Sequence, residues 1–174
     1  MSPGACRVPE TISDTGPILH LQEIARLSTL TTVAPLLLPD LVVEELGRHG
    51  VAAARLAEAG IDFTAEKVEP LVWRQVLRDI APQVQPADAQ VFSLAREGGF
   101  RSLVLTDDLA LRRLLEGHGS PVTGTVGILI RAYTVHTISR EDVELAFDAL
   151  FRTSTLHLGR AFRTYLKHLI SDLP

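Results

Sequence analysis

The strongest constraint on the fold is the alternation of strand-like and helix-like segments in the second half of the chain. RSLVLTD at residues 101–107 is a nearly continuous apolar run, typical of a strand that is buried on both faces. DLALRRLLEGHG then predicts a helix, SPVTG a second strand and TVGILIRAYTV a second helix. This β-α-β-α order predicts a parallel sheet with helices on both sides.

The first half of the chain fits the same α/β plan. The segments ETIS, PLLLP and IDFTAE predict short strands. Helices are predicted for GPILHLQEIARLSTL, DLVVEELGR, VAAARLAEAG, PLVWRQVLRDIA and ADAQVFSLAREGG. At the end of the chain, SREDVELAFDALFR opens on a Ser139 and Asp142 capping pair, and LHLGRAFRTYLKHLI follows as an amphipathic helix. We expect one domain over residues 1–174, with a core at about 10–135 and a C-terminal helical hairpin at about 138–172.

Composition excludes several classes of protein. With 46% hydrophobic residues the chain is too apolar to be disordered, and its net charge of -4 argues against a surface that grips nucleic acid by charge alone. The single cysteine, Cys6, cannot form an internal disulfide, and no signal-peptide pattern begins the sequence. No apolar run approaches the roughly 20 residues that a membrane span needs. We therefore expect a cytoplasmic protein that does not enter a membrane.

Asp88 occupies an unexpected place for a charged residue. It lies in the middle of the apolar face of its predicted helix, where Val91 and Phe92 flank it within about 60° on the helical wheel. A carboxylate in the first turn of a helix can also satisfy free N–H groups and the helix dipole. Both interpretations, an inward-facing ligand and a helix cap, are open for this residue.

Glu45 is the second carboxylate on an apolar helix face. In LVVEEL at residues 41–46 it shares the side of the helix with Leu46, whereas Glu44 points the opposite way. Glu45 is therefore predicted to point inward, although a residue at the edge of that face could also extend to water.

Three further aspartates follow predicted strands. Asp14 comes directly after the first strand, and Asp107 and Asp108 follow the apolar strand of the second half. In an open parallel sheet, residues just beyond the carboxyl ends of the strands line the crevice where ligands bind. Each of the three, taken singly, could instead cap the helix that follows it.

As a set, these carboxylates point to a metal site. They come from two strand ends and two inward helix faces, which can meet at one edge of the sheet. Like charges that close raise one another's pKa and destabilise the fold unless a cation compensates. Oxygen ligands without a His or Cys cluster favour Mg²⁺ or Mn²⁺, and such ions promote phosphodiester hydrolysis.

These segments also resemble the PIN-domain nucleases over roughly residues 10–135. The motifs that carry the resemblance are ISDTGPILHL, LPDLVVEEL, PADAQVFSLA, LVLTDD and PVTGTVGIL, in that order. They are most similar to the prokaryotic branch related to VapC-type toxins. The resemblance implies a three-layer α/β/α fold around a short parallel sheet, RNA as substrate, a homodimer, and an antitoxin partner of a type II toxin-antitoxin pair.

The resemblance also implies roles for individual residues. Asp14 would bridge the metal ions, with Glu45 and Asp88 as further ligands. The family's Thr-x-Asp pattern selects Asp108 as the fourth ligand, whereas Asp107 is the residue directly after the apolar run. We expect both near the metal and only one of the two as a direct ligand. Two hydroxyls, those of Thr15 and Thr106, are expected to hold a carboxylate or a substrate phosphate.

Other features carry less chemistry. Arg112 lies one helical turn after Asp108, so it could orient that carboxylate or contact a phosphate, but a plain exposed ion pair between the two is favoured. The histidines have no zinc-site spacing. The aromatic residues Trp73, Tyr133 and Tyr165 are too scattered along the chain to predict a base-stacking platform.

Two other functions compatible with an α/β fold fit the sequence less well than a ribonuclease. A phosphatase of the haloacid-dehalogenase type would use Asp14 as nucleophile, but it needs a second Asp two residues later, where this chain has Gly16. A non-catalytic protein that keeps the fold for binding would leave the inward Glu45 and Asp88 unexplained.

Overall fold

The computed structural model describes residues 10–172; Cys6 and the leader before Val8 lie outside that range. Five parallel strands form one sheet in the order β3-β2-β1-β4-β5. The strands are β1 (Thr11–Ser13), β2 (Leu36–Pro39), β3 (Phe63–Glu66), β4 (Val104–Leu105) and β5 (Val122–Thr123). The predicted parallel sheet is confirmed.

Helices cover both faces of this sheet. They are α1 (Thr15–Glu23), α2 (Asp40–Arg48), α3 (Ala53–Glu58), α4 (Pro70–Asp79), α5 (Pro86–Glu97), α6 (Leu109–Gly117), α7 (Thr125–Thr134), α8 (Arg140–Arg152) and α9 (Arg160–Asp172), with a 3₁₀ helix at Leu27–Thr32. The helices α1 and α7 pack with the 3₁₀ helix on one face, and α4, α5 and α6 pack together on the other. The three-layer α/β/α arrangement is thus confirmed. Within residues 10–172 we find no helix with the length and apolar character of a membrane span.

The core lies between these layers. Ile12 and Leu36 of the central strands and Phe92 of α5 are almost completely buried. Burying side chains of this kind stabilises the folded chain by about 1.5–3 kcal/mol each. The central strands are therefore held rigidly, and so are the residues that directly follow them.

The predicted helix over residues 16–30 is wrong in one respect, because it breaks at Ala25. This residue has a φ of 55°, and the Arg26 N–H turns back to the Leu21 carbonyl oxygen at 2.8 Å. Glycine is the usual residue in this helix-ending conformation, so its absence concealed the break. The turn allows Leu27 and Leu30 to enter the core from the 3₁₀ helix that follows.

The C-terminal helices extend from α7. Helix α8 packs against α7 and begins with the predicted capping box of Ser139 and Asp142. Glu23 of α1 accepts hydrogen bonds from Ser154 and Thr155 in the connection to α9. The connection is therefore not helical, and α9 begins at Arg160 rather than at the predicted residue 156.

The strand order creates a crevice between β1 and β4. From β1 the chain crosses to β2 on one side, and from β4 it crosses to β5 on the other, so the connections that follow these two strands leave in opposite directions. Ser13 is the register partner of Leu105, and the Asp14 N–H donates to the Leu105 carbonyl oxygen at 2.9 Å. Asp14 and Thr106 consequently lie side by side at this crevice.

Candidate functional site

Asp14 is at the centre of the crevice and is fixed by two hydrogen bonds. Its Oδ1 accepts from the Thr15 N–H at 2.6 Å, so it caps α1, and its Oδ2 accepts from the Thr106 hydroxyl at 3.0 Å. The Thr106 hydroxyl also accepts from the Asp108 N–H at 3.1 Å. Thr106 therefore links the carboxylate after β1 to the backbone after β4.

Glu45 reaches the same place from α2. Its side chain is half-buried, whereas that of Glu44 is exposed, as the helical wheel predicts. The Thr15 hydroxyl donates to Glu45 Oε2 at 2.7 Å. Because Thr15 donates through its N–H to Asp14 and through its hydroxyl to Glu45, it holds these two carboxylates on either side of itself.

Asp88 combines the two interpretations that its sequence position allowed. It lies in the first turn of α5, where its Oδ2 accepts from the Gln85 N–H at 2.9 Å, and it is only 8% exposed. Gln90 is buried two residues further along α5, and its Oε1 accepts a hydrogen bond from the Leu41 N–H at 3.0 Å. This bond ties the start of α2 to α5 and so sets Glu45 relative to Asp88.

Four carboxylates lie near enough to one another for their charges to interact. Burial raises the pKa of Asp14 from 3.8 to about 7, and the charges of Asp88 and Glu45 contribute to this rise. Hydrogen bonds from Thr15 and Thr106 lower this pKa but do not cancel the rise. Burial likewise raises the pKa of Asp88 to about 6, and the charges of Asp108 and Glu45 act in the same direction. We refer to Asp14, Glu45, Asp88 and Asp108 as the carboxylate cluster.

The carboxylate cluster has the chemistry of a divalent-cation site but not yet its geometry. Across residues 10–172, no three Asp, Glu, His or Cys side chains lie close enough to hold a single ion. Each of the four is turned instead to a neighbouring amide or hydroxyl donor. A hard divalent cation would offset the repulsion and burial that raise the pKa of Asp14 and Asp88. The donor set therefore fits such an ion.

Asp107 has different partners from its neighbour Asp108. Its carboxylate accepts from the Thr125 N–H at 2.8 Å, from the Thr125 hydroxyl, and bonds to His20 Nδ1 at 2.8 Å. Asp107 therefore ties the end of β4 to the start of α7 and to α1. A Cβ added to Gly124 would meet this carboxylate, so the close approach requires glycine at that position.

Asp108 instead caps α6, because its Oδ1 accepts from the Leu111 N–H at 2.7 Å. Arg112 makes its i,i+4 ion pair with Glu116 rather than with Asp108. Arg112 donates to the Thr106 carbonyl oxygen at 3.0 Å and approaches Glu116 at 3.5 Å. The guanidinium therefore lies beside the end of β4, where Thr106 stands between it and Asp14 of the carboxylate cluster.

Two positioning residues escaped the sequence analysis. His20 supports Asp107 from one turn inside α1, and Gln90 joins α5 to α2. The only signal for Gln90 in the sequence is its position as a polar residue in the mostly apolar stretch AQVFSLA at residues 89–95. His20 gives no such signal, because its partner lies 87 residues further along the chain.

Comparison with known proteins gives one match. A family model described as a PIN domain matches residues 10–170, which is most of the chain. No curated protein and no solved structure matches. PIN domains are in general nucleases, which are hydrolases, and they typically use divalent metal ions. The match to the family model covers the five strands of the described residues, the whole carboxylate cluster and most of the C-terminal helices. The chain therefore belongs to the PIN-domain family.

Proposed function

We propose that this protein is a Mg²⁺- or Mn²⁺-dependent endoribonuclease that hydrolyses phosphodiester bonds. The observation that carries the proposal is the burial of two carboxylates, Asp14 and Asp88, at the crevice between β1 and β4, where they are only 7% and 8% exposed. This burial raises the pKa of both. Carboxylates buried close together destabilise a fold unless something binds between them. A divalent cation is the binding partner that this donor set favours.

The four members of the carboxylate cluster are assigned as the residues that would hold the ion. Asp107 is left out of this set, because its carboxylate bonds to Thr125 and His20 and its charge does not contribute to the raised pKa of Asp14 or Asp88. Thr15 and Thr106 orient the cluster, since each bonds to Asp14 and to one further member or its backbone. When bound, the ion supplies an activated water and neutralises charge on the phosphoryl oxygens.

Arg112 is assigned to the substrate phosphate. Its guanidinium donates to the Thr106 carbonyl oxygen at 3.0 Å, and this hydrogen bond holds it beside the crevice. The approach to Glu116 is long, at 3.5 Å, so the positive charge is only weakly compensated. A guanidinium held in this way suits a phosphodiester oxygen.

RNA as the substrate, a homodimer as the active form and an antitoxin as partner are parts of the proposal that rest on the VapC-like motifs. The net charge of -4 is consistent with a protein that grips its substrate at one site rather than over its whole surface. The alternatives are a PIN-fold nuclease that is not a toxin, and a binding protein without catalysis.

The nuclease proposal is tested by incubating the purified chain with labelled single-stranded RNA and Mg²⁺ or Mn²⁺. We expect cleavage that a chelator stops and that Asp14→Asn and Asp88→Asn each reduce at least a hundredfold. Glu44→Gln, on the exposed side of α2, is the matched control for Glu45→Gln and should cleave like wild type. RNA cleavage that persists in the Asp14 variant would refute the assignment.

The toxin part is tested separately in a bacterial host. Induced expression should arrest growth, and the Asp14→Asn variant should not. If the purified protein cleaves RNA but its expression leaves growth unchanged, the nuclease is not a toxin. If no divalent ion supports RNA cleavage and expression does not arrest growth, the non-catalytic alternative is favoured.

A further inference from the structure

A groove of about 590 Å³ runs between the edge strand β5, helix α7 and helix α9. Its apolar walls include Val126 and Ile130 from α7 and Phe162, Tyr165 and Leu169 from α9. The volume lies within the roughly 300–1,000 Å³ of small-ligand sites. The groove is therefore large enough for a nucleoside.

One end of the groove adjoins the carboxylate cluster. Asp107 and Arg112 line that end. Arg112 bonds to the Thr106 carbonyl oxygen, while the Thr106 hydroxyl bonds to Asp14 on the other side. A single residue of backbone therefore separates the groove from the proposed cleavage site.

Two aromatic rings are exposed along the far wall. Phe162 is 38% exposed and Tyr165 is 56% exposed, and their ring centroids are 6.0 Å apart at an interplanar angle of 33°. Their spacing of three residues puts both on one side of α9. The sequence position of Tyr165 alone does not indicate this pair, which forms only with Phe162 one turn earlier on α9.

We propose that this groove binds a nucleobase of single-stranded nucleic acid, next to the phosphodiester that the carboxylate cluster cleaves. The inference rests on the proposed nuclease function and adds a binding site for the flanking base. A nucleotide combines a planar aromatic base with a phosphate, and the groove combines aromatic walls with a guanidinium at the end nearest the cluster. Arg112 supplies the positive charge for the phosphate at the end of the groove that it shares with Asp107.

Short single-stranded RNA and DNA probes carrying one 2-aminopurine test the groove, since this fluorescent base is quenched when it stacks. Binding is measured in chelator, so that the strands stay intact. The variants Phe162→Leu and Tyr165→Leu keep an apolar side chain but remove the ring. Phe151→Leu removes a ring that packs under Arg163, outside the groove, and is the matched control.

We expect wild type to quench the probe, and each of the two groove variants to weaken binding by about fivefold to a hundredfold. The Phe151 variant should bind like wild type, and comparison of the probes shows whether RNA or DNA is preferred. Because both target rings are exposed, the variants should keep the wild-type circular dichroism spectrum. Quenching in wild type also tests the site without any substitution.

Other outcomes separate this inference from the nuclease proposal. Unchanged binding in both groove variants, with RNA cleavage intact, overturns the base site and leaves the nuclease standing. Quenching that depends on the two rings, without cleavage under any divalent ion, leaves the base site and overturns the nuclease. If the variants instead turn a dimer into a monomer and bind nucleic acid like wild type, the groove is a contact between copies and the inference fails.

Discussion

Removing one charge from the carboxylate cluster should stabilise the metal-free protein. In Asp14→Asn the side-chain oxygen can still accept from the Thr15 N–H and cap α1. The hydrogen bond from the Thr106 hydroxyl to the second oxygen is lost at a cost of about 1 kcal/mol, so removal of the negative charge is the larger effect. The pKa of Asp14 is raised from 3.8 to about 7, and at 1.36 kcal/mol per pKa unit the charged form costs the fold about 4 kcal/mol. We expect the variant to recover much of this.

The effect should depend on pH with a definite sign. A carboxyl group whose pKa is higher in the folded state holds its proton more tightly there, so wild type loses stability as pH rises from about 4 to about 7. The advantage of Asp14→Asn should therefore grow by about 2–3 kcal/mol between pH 5 and pH 8. In a chain of this size that corresponds to about 5–10 °C in Tm.

The assay is urea denaturation in chelator at both pH values, with Glu44→Gln as the control for loss of an exposed carboxylate. The control should match wild type at each pH within about 0.5 kcal/mol. If Asp14→Asn is less stable than wild type at pH 8, or if its advantage does not grow with pH, the charge on Asp14 is not strained by its surroundings. The folded protein would then not need a cation at this site to offset the charge on Asp14.

Three further substitutions test other parts of the structure. Gly124→Ala puts a Cβ against the Asp107 carboxylate and 3.0 Å from the Thr106 carbonyl oxygen, so urea denaturation should show a loss of about 1–3 kcal/mol. Ala25→Gly relieves a φ of 55° and should raise the free energy of unfolding by about 1 kcal/mol; an unchanged urea midpoint would contradict the strained turn. In Glu23, burial alone would raise the pKa, but hydrogen bonds from Thr155 and Ser154 lower it overall. Glu23→Gln should therefore cost about 1–2 kcal/mol at pH 7, and its difference from wild type should shrink as the pH falls below 4.5, which thermal unfolding at several pH values would measure.

The residues of the carboxylate cluster were predictable because their signals are local. An acidic residue directly after an apolar strand, such as Asp14, must lie at the sheet edge where parallel strands end. The inward directions of Glu45 and Asp88 follow from helical periodicity within their own helices.

The distinction between Asp107 and Asp108 was not predictable from the strand pattern, because both residues follow the same strand, and only the resemblance to PIN-domain nucleases selected Asp108. It depends on Thr125, which reaches Asp107 only because β5 pairs with β4 and Gly124 lets α7 begin close to it. The groove is a similar case, since its walls come from helices that are separated by α8. Packing between elements distant in sequence determined both features, and periodicity carries no information about it.

The central claim is that the carboxylate cluster binds a divalent cation, and titration of Mn²⁺ into the purified chain tests it most directly. An ion that binds only the folded state raises Tm by mass action. We predict that Tm of wild type and Glu44→Gln rises with Mn²⁺ concentration, and that the rise disappears in Asp14→Asn and Asp88→Asn. A full Mn²⁺ response in the Asp14 variant, or no response in wild type, would contradict the claim.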